Sequence, residues 1–154
     1  MPTILVTFVT VEARPTAVIA QATSWEDFPS LWGQVLDDVY RFVRRRGDPA
    51  TGDASERWQN VMLHKDDRPD VEVGVLVAGP FEPAGCVISS MLPGGEVATA
   101  IHRGDYAGLG ATHDAVRAHV AAGGRELAGP RWEIDGHWRE DPAELETEVF
   151  WLLR

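Results

Sequence analysis

Residues 96–102 read EVATAIH, a run that predicts a β-strand, and a turn at Arg103-Gly104-Asp105 follows it. Apolar residues then recur at helical spacing until Gly123-Gly124, a pair that ends helices in the usual C-terminal manner. The helical positions are Leu109, Thr112, Val116 and Val120. Two further strands are predicted at Arg131 to Arg139 and at Glu146 to Leu153. This stretch therefore predicts a strand–helix–strand–strand unit.

The first half of the chain has the same order of elements. Residues 3–11 predict a leading strand, and a Pro- and Gly-rich segment at residues 80–95 is predicted to cross between the halves. Between them we predict a strand at Thr16–Ala22, an amphipathic helix at Pro29–Arg46, and strands at Trp58–Lys65 and Val71–Ala78. Val71-Glu72-Val73 and Thr147-Glu148-Val149 follow similar acidic, proline-containing turns, which indicates an internal duplication.

The predicted fold class is therefore α+β, with duplicated strand–helix–strand–strand units related by a pseudo-twofold axis. Such units form an antiparallel sheet with two helices, and we expect a central cleft where the halves meet, since ligands often bind at such junctions. The whole chain, residues 1–154, is predicted to form a single domain.

Composition narrows the class of protein. With 24 acidic and 14 basic residues the net charge is −10, a balance that repels a nucleic-acid backbone and modestly favours cationic ligands. Cys86 is the only cysteine, so no intrachain disulfide can form. No apolar run approaches the length of about 20 residues of a membrane span, and residues 1–11 resemble a strand rather than a signal peptide. We expect a cytoplasmic protein without membrane association, and both a monomer and a homodimer agree with the sequence.

Glu133 is the first candidate site residue, because it stands between two large apolar residues, Trp132 and Ile134. A carboxylate in an apolar recess loses hydration, so its pKa rises or it recruits a cation or a polar ligand. Strand alternation also allows the alternative in which Glu133 faces solvent while its neighbours face the core.

Further candidates come from the aromatic residues and the last strand. Trp132, Trp138, Phe150 and Tyr106 would stack on a planar ligand, and Glu148 shares a strand face with Phe150. For Glu148 the alternative is an exposed strand carboxylate, and for Tyr106 it is packing under the turn at the helix entry. Trp58 and Trp132 would either line a pocket or pack in the core. The five histidines show no metal-ligand spacing, and no nucleophile elbow or phosphate loop is present, so we predict no metal and no cofactor.

Four short motifs occur in a fixed order: Leu92-Pro93-Gly94-Gly95, His102-Arg103-Gly104-Asp105-Tyr106, Trp132-Glu133-Ile134 and Thr147-Glu148-Val149. This series resembles the GyrI-like small-molecule-binding family, also known as the effector-binding domain of AraC-type and MerR-type regulators. The resemblance covers essentially the whole chain, and the second half carries most of it.

The resemblance implies an aromatic-walled hydrophobic cleft that recognises lipophilic and often cationic compounds. It matches the family's buried glutamate to Glu133, and the tyrosine after its His-x-Gly turn to Tyr106. Two residues after the glutamate the family usually has tyrosine, whereas this chain has Asp135. That residue would either add a second negative group near Glu133 or lie on the solvent side.

Family members without a DNA-binding region include proteins that capture toxic compounds and hydrolases that open cyclopropane rings of DNA-alkylating natural products, which gives self-resistance. A protein that inhibits DNA gyrase is also a member. We therefore expect a stand-alone domain that binds a lipophilic, aromatic or cationic small molecule, for ligand capture, multidrug recognition or sensing. The alternative is a hydrolase in which Glu133 acts as general acid or base and Tyr106 donates a hydrogen bond.

Overall fold

The structure is a computed structural model, and it describes residues 4–22, 28–46, 58–64, 70–82, 85–104, 108–136 and 141–154. Two α-helices, one short 3-10 helix (Pro142–Glu144) and eight strands lie in these ranges. The α-helices are α1 (Phe28–Arg46) and α2 (Leu109–Ala122). The strands are β1 (Thr7–Val11), β2 (Arg14–Ala22), β3 (Asn60–His64), β4 (Asp70–Leu76), β5 (Ile88–Leu92), β6 (Gly95–Arg103), β7 (Leu127–Asp135) and β8 (Glu146–Leu153).

All eight strands belong to one antiparallel sheet in the order β1-β6-β8-β7-β3-β4-β2-β5. The order is symmetric about the β7–β3 junction, since β6-β8-β7 on one side corresponds to β2-β4-β3 on the other. The leading strand of each half pairs with a strand of the other half. β1 of the first half pairs with β6, and β5 of the second half pairs with β2. The predicted α+β fold with duplicated units and a pseudo-twofold axis is confirmed.

The Pro- and Gly-rich crossing segment contains a strand that the sequence did not predict. β5 reads Ile88-Ser89-Ser90-Met91-Leu92, and it forms the edge of the sheet beside β2. β7 also begins earlier than the predicted Arg131, at Leu127. Gly129 and Pro130 lie where its pairing with β8 shifts register, so a β-bulge accommodates two residues that usually interrupt strands.

Two short linkers force the sheet to curl. β1 forms one edge of the sheet, yet only Glu12 and Ala13 separate it from β2, which lies near the other edge. Pro93 and Gly94 likewise connect the opposite edge strand, β5, to β6. Two residues cannot span a flat eight-stranded sheet with strands about 4.8 Å apart, so the edges must approach each other at this end. Accordingly, side chains from strands at both ends of the sheet share one apolar cluster.

The two linkers also contact each other, which gives Gly94 a specific role. A Cβ atom added at Gly94 would lie 2.7 Å from the backbone nitrogen of Ala13, closer than a carbon atom can approach. We expect Gly94→Ala to lower the free energy of unfolding by about 1–3 kcal/mol, because the linkers must separate to admit the methyl group. Urea denaturation measures this change. A variant as stable as the wild type would contradict the contact.

Both helices pack on the same face of the sheet, here called the helix face. Val39 and Val43 of α1 are fully buried against the first half, and Val116 and Val120 of α2 are buried against the second half. The other face, here called the inner face, lies inside the curl. No helix in the described ranges is long and apolar enough to cross a membrane.

Candidate functional site

The inner face of the second half encloses a cavity of about 850 Å³. Much of its wall consists of alternate residues of four neighbouring strands, since successive side chains of a strand point to opposite faces, and residues at the end of β6 and the start of α2 complete it. The linkers lie at one end of the cavity, and the first turn of α2 lies at the other. The wall residues used below are Val9 and Val11 from β1, Thr99 and Ile101 from β6, Trp132 and Ile134 from β7, and Glu148 and Phe150 from β8.

The pairing of the strands relates the wall of this cavity to the equivalent positions in the first half. Glu72 pairs with Leu63 and Ala20, as Glu148 pairs with Ile134 and Ile101. This alignment makes the Val61–Gly74 pair of the first half equivalent to the Trp132–Phe150 pair of the second.

Gly74 allows β2 to approach β4 closely in the first half. A Cβ atom at Gly74 would lie only 1.9 Å from the carbonyl oxygen of Ala17, so β2 occupies the space that a side chain would need. In the second half the rings of Trp132 and Phe150 hold the corresponding space open. The two halves therefore differ at one pair of equivalent positions, which is Val61–Gly74 in the first half and Trp132–Phe150 in the second.

Two stacked aromatic rings lie in the cavity wall. Trp132 and Phe150 are stacked, with ring centroids 5.5 Å apart and planes inclined by 12°. Both residues are buried, Trp132 almost completely. Both residues line the cavity and also belong to the apolar cluster of the curled sheet. The arrangement gives a rigid apolar platform whose shape does not depend on a bound ligand.

Glu148 supplies a half-buried carboxylate to this otherwise apolar wall. It lies opposite Ile101 on one side and Ile134 on the other, with Phe150 two residues along the same strand. Among the described residues, none forms a hydrogen bond or an ion pair with its carboxylate. Its counterpart Glu72 is 4% exposed and accepts a hydrogen bond of 2.6 Å from the Ser90 hydroxyl. The duplication thus places two carboxylates on the inner face and leaves one of them available in the cavity.

The remaining polar groups lie towards the two ends of the cavity. Near α2, His102 Nδ1 is 3.0 Å from the Thr112 hydroxyl, and Arg103 donates to Glu146 at 3.2 Å. At the linker end Arg14 and Glu12 are exposed at the cavity rim. The cavity therefore has an apolar middle with one free carboxylate and polar groups at both ends.

Glu133, the principal sequence candidate, lies on the helix face, on the other side of β7 from this cavity. Its Oε2 atom is 2.6 Å from Nε2 of His113 on α2, and His113 Nδ1 accepts a hydrogen bond of 2.9 Å from the Trp151 indole. Because an indole N–H can only donate, His113 Nδ1 carries no proton, and its Nε2–H donates to Glu133. The Glu133 carboxylate is therefore paired with His113 on the helix face.

Trp151 connects this network to two arginines. The guanidinium groups of Arg131 and Arg117 lie 5.1 Å and 5.9 Å from the centroid of its ring system. Such cation–π contacts hold the indole in place while it donates to His113. The network therefore ties β7, β8 and α2 together behind the wall that carries Trp132 and Phe150.

Asp135 also lies on the helix face, close to the junction of the two halves. Burial raises its pKa to about 6, the negative charge of Glu133 contributes to the rise, and hydrogen bonds with Thr147 and Asn60 oppose it. Burial also raises the pKa of Tyr40, whose hydroxyl donates to Asn60 Oδ1. His64 has its pKa lowered to about 4, chiefly by burial and then by Arg131. Neither Asp135 nor Glu133 lines the cavity.

The other candidates divide as follows. Trp132, Glu148 and Phe150 come together in the cavity wall, whereas Trp58 packs partly buried against the cluster beneath α1. Tyr106 and Trp138 lie outside the described residues.

Sequence reasoning missed His113, because only its contact with Glu133 across 20 positions distinguishes it from an ordinary helix residue. In the part of the chain that the structure describes, no three His, Cys, Asp or Glu side chains are grouped so that they could hold a metal ion.

Comparison with known proteins finds solved structures that have the same fold. Neither protein-family models nor curated proteins give a match to the sequence. Among solved structures, the chain has the fold of the EcmrR C-terminal domain, with a TM-score of 0.78, 17% identity and 99% of each chain covered. It spans 57% of the EcmrR chain in a complex with DNA, at a TM-score of 0.76 and 18% identity.

Two further structures share the fold at lower identity. SAV2435 bound to tetraphenylphosphonium gives a TM-score of 0.63 at 9% identity, covering 97% of this chain and 94% of that one. A structure described as a hydrolase from Listeria innocua gives 0.61 at 9% identity, covering 100% and 94%. The GyrI-like resemblance inferred from the sequence motifs is thereby confirmed as a shared fold.

Proposed function

We propose that this chain binds a lipophilic, cationic small molecule in the cavity of its second half. The observation that carries the proposal is the half-buried Glu148 carboxylate, which has an apolar setting and no partner among the described residues. A carboxylate that has lost part of its hydration gains most from a ligand that brings a delocalised, weakly hydrated positive charge. A neutral ligand of the same shape would leave that carboxylate uncompensated.

The aromatic platform supplies the second part of recognition. Planar or aromatic groups of a ligand gain dispersion contacts and displace water against Trp132 and Phe150. Because these rings are packed and stacked before a ligand arrives, little conformational entropy is lost when it binds. A volume of about 850 Å³ suits a molecule with several rings. SAV2435, which shares the fold, was solved with a cation of this kind, tetraphenylphosphonium.

Ligand capture or sensing agrees with these features better than catalysis does. The general-acid role expected of Glu133 requires it to reach a ligand, yet its carboxylate contacts His113 on the helix face. Hydrolysis in the cavity would have to use Glu148 instead. Mass spectrometry of the ligand after prolonged incubation distinguishes the two functions, since a bound ligand is recovered unchanged and a hydrolysed one gains the mass of water.

The binding proposal is tested by titrating the protein with tetraphenylphosphonium and following tryptophan fluorescence, with calorimetry as a second measurement. We expect Glu148→Gln to weaken binding about tenfold, which corresponds to about 1.4 kcal/mol of lost attraction to the cation. Glu126→Gln is the matched control, because Glu126 is exposed, is not in the cavity wall and carries the same charge.

Triphenylphosphine oxide provides a neutral probe of similar shape. We expect its affinity to be unchanged within twofold in Glu148→Gln, because no cation is present to lose a partner. Equal binding of tetraphenylphosphonium by the wild type and Glu148→Gln, or no binding by either, would contradict the proposed function.

A further inference from the structure

Arg14 is the cavity residue whose chemistry the proposed function leaves unused. Of the other basic groups in the wall, Arg103 is paired with Glu146 and His102 contacts Thr112. In the described ranges, no side chain pairs with the Arg14 guanidinium. The cavity thus has an unpaired carboxylate in its wall, at Glu148, and an unpaired guanidinium at its linker end, at Arg14, beside the carboxylate of Glu12.

The local structure directs Arg14 to the inner face. It is the first residue of β2 and pairs with Leu92 of β5, which is also a cavity residue. Alternation along β2 puts Arg14 on the same side as Thr16 and Val18, both of which are buried inside the curl. Pro15 fixes the backbone between them, so the direction of this side chain is set by the strand.

Arg14 and Glu148 lie at different levels of the cavity. Along β6, Gly95 pairs with Val11 at the linker end, and Ile101 pairs with Glu148. These positions are six residues apart, which at about 3.3 Å per residue gives about 20 Å of strand. Arg14 follows Val11 after the two-residue linker. Its long side chain makes the distance between its guanidinium and the Glu148 carboxylate shorter than this length of strand. The aromatic platform lies between the two charges, since Phe150 is two residues from Glu148 towards the linkers.

We propose that Arg14 forms a second pole of the binding cavity, which accepts an acidic group of the ligand. The preferred ligand is then an elongated amphoteric molecule, with a lipophilic cation at Glu148, an aromatic or apolar body against the platform, and a carboxylate or similar anion at Arg14. This inference rests on the proposed function. It predicts that cations with an acidic tail bind better than cations with a neutral tail of equal length.

Glu12 modulates this pole. Its carboxylate also lies at the linker end of the cavity, two residues before Arg14, and has no ion pair with Arg14. Its negative charge partly cancels the electrostatic attraction of the Arg14 guanidinium for an anionic group of the ligand. Removing the charge of Glu12 should therefore strengthen the preference for an acidic tail, whereas removing the charge of Arg14 should abolish it.

The test uses a series of triphenylphosphonium cations with alkyl tails of increasing length, each ending either in a carboxylate or in its methyl ester. Affinities are measured by calorimetry for the wild type, Arg14→Gln and Glu12→Gln. For tails long enough to reach Arg14, we expect the carboxylate to bind about threefold to tenfold more tightly than the ester. The gain is modest because Arg14 is exposed to solvent and is screened by salt.

In Arg14→Gln the preference for the carboxylate over the ester should vanish. In Glu12→Gln the preference should grow. If the esters bind and depend on Glu148, but the carboxylate gives no gain that requires Arg14, the second pole is refuted and the proposed function stands. If no member of the series binds, both proposals fail.

Discussion

Replacement of Gly74 by alanine is expected to lower the free energy of unfolding by about 3 kcal/mol or more. The added Cβ would lie 1.9 Å from the Ala17 carbonyl oxygen and 2.8 Å from the Val18 Cα atom. Both are backbone atoms of a paired strand, so no side chain can rotate away to relieve the overlap. Either β2 separates from β4 or the curl of the first half opens, and both changes disturb packed core.

Urea denaturation followed by circular dichroism measures this loss. Gly33→Ala in α1 is the matched control, because a Cβ at Gly33 meets no atom within 4 Å. Alanine is the better helix former, so that control should keep the stability of the wild type or gain up to about 1 kcal/mol. A Gly74→Ala protein as stable as the wild type would show that β2 does not cross the space next to Gly74.

Asp135→Asn is expected to stabilise the protein at pH 7.5 by about 2 kcal/mol. The pKa of Asp135 is about 6 in the folded chain, against 3.8 when exposed, chiefly because the carboxyl is buried. A carboxyl with a raised pKa favours its protonated form in the folded state, so its ionisation costs stability above pH 6. Asparagine removes that cost and keeps an oxygen that accepts the hydrogen bond from Thr147.

The advantage of the asparagine variant should shrink as the pH falls through 6 and disappear only below pH 3.8, where Asp135 becomes protonated in the unfolded state as well. The titration of His64 changes the free energy of unfolding in the opposite direction over an overlapping pH range. Its pKa of about 4 lies below 6.5, so the stability it retains above pH 6.5 is lost as the pH falls towards 4. The difference between variant and wild type isolates Asp135, because His64 is common to both. A constant difference from pH 4 to pH 8 would refute the assignment.

Periodicity predicted most of the elements correctly because the decisive information is local. The helices have their buried residues at three- and four-residue spacing, and the strands alternate or are β-branched. β5 was missed since it is a short edge strand between segments rich in proline and glycine, with two serines in its middle. Only its pairing with β2, over 70 positions away, makes it a strand.

The candidate site was predicted in part. Alternation alone put Glu148 and Phe150 on one strand face, and Trp132 was among the candidates for the wall. Alternation also left open which way Glu133 points. It requires only that Glu133 and its two apolar neighbours lie on opposite faces of the strand, and it does not say which face lines the cavity. The choice depends on α2, which brings His113 to the helix face of β7 and so satisfies the Glu133 carboxylate there.

By itself the sequence determined the duplicated units, their helices and the two carboxylates at equivalent places, Glu72 and Glu148. It could not determine which of the two is available to a ligand, because their neighbours along the chain are alike. The tertiary structure decided that. Ser90 and the close approach of β2 at Gly74 bury and satisfy Glu72, while the Trp132–Phe150 pair keeps the space around Glu148 open. Burial and hydrogen bonding are properties of contacts between distant segments, and such contacts exist only after the sheet has curled.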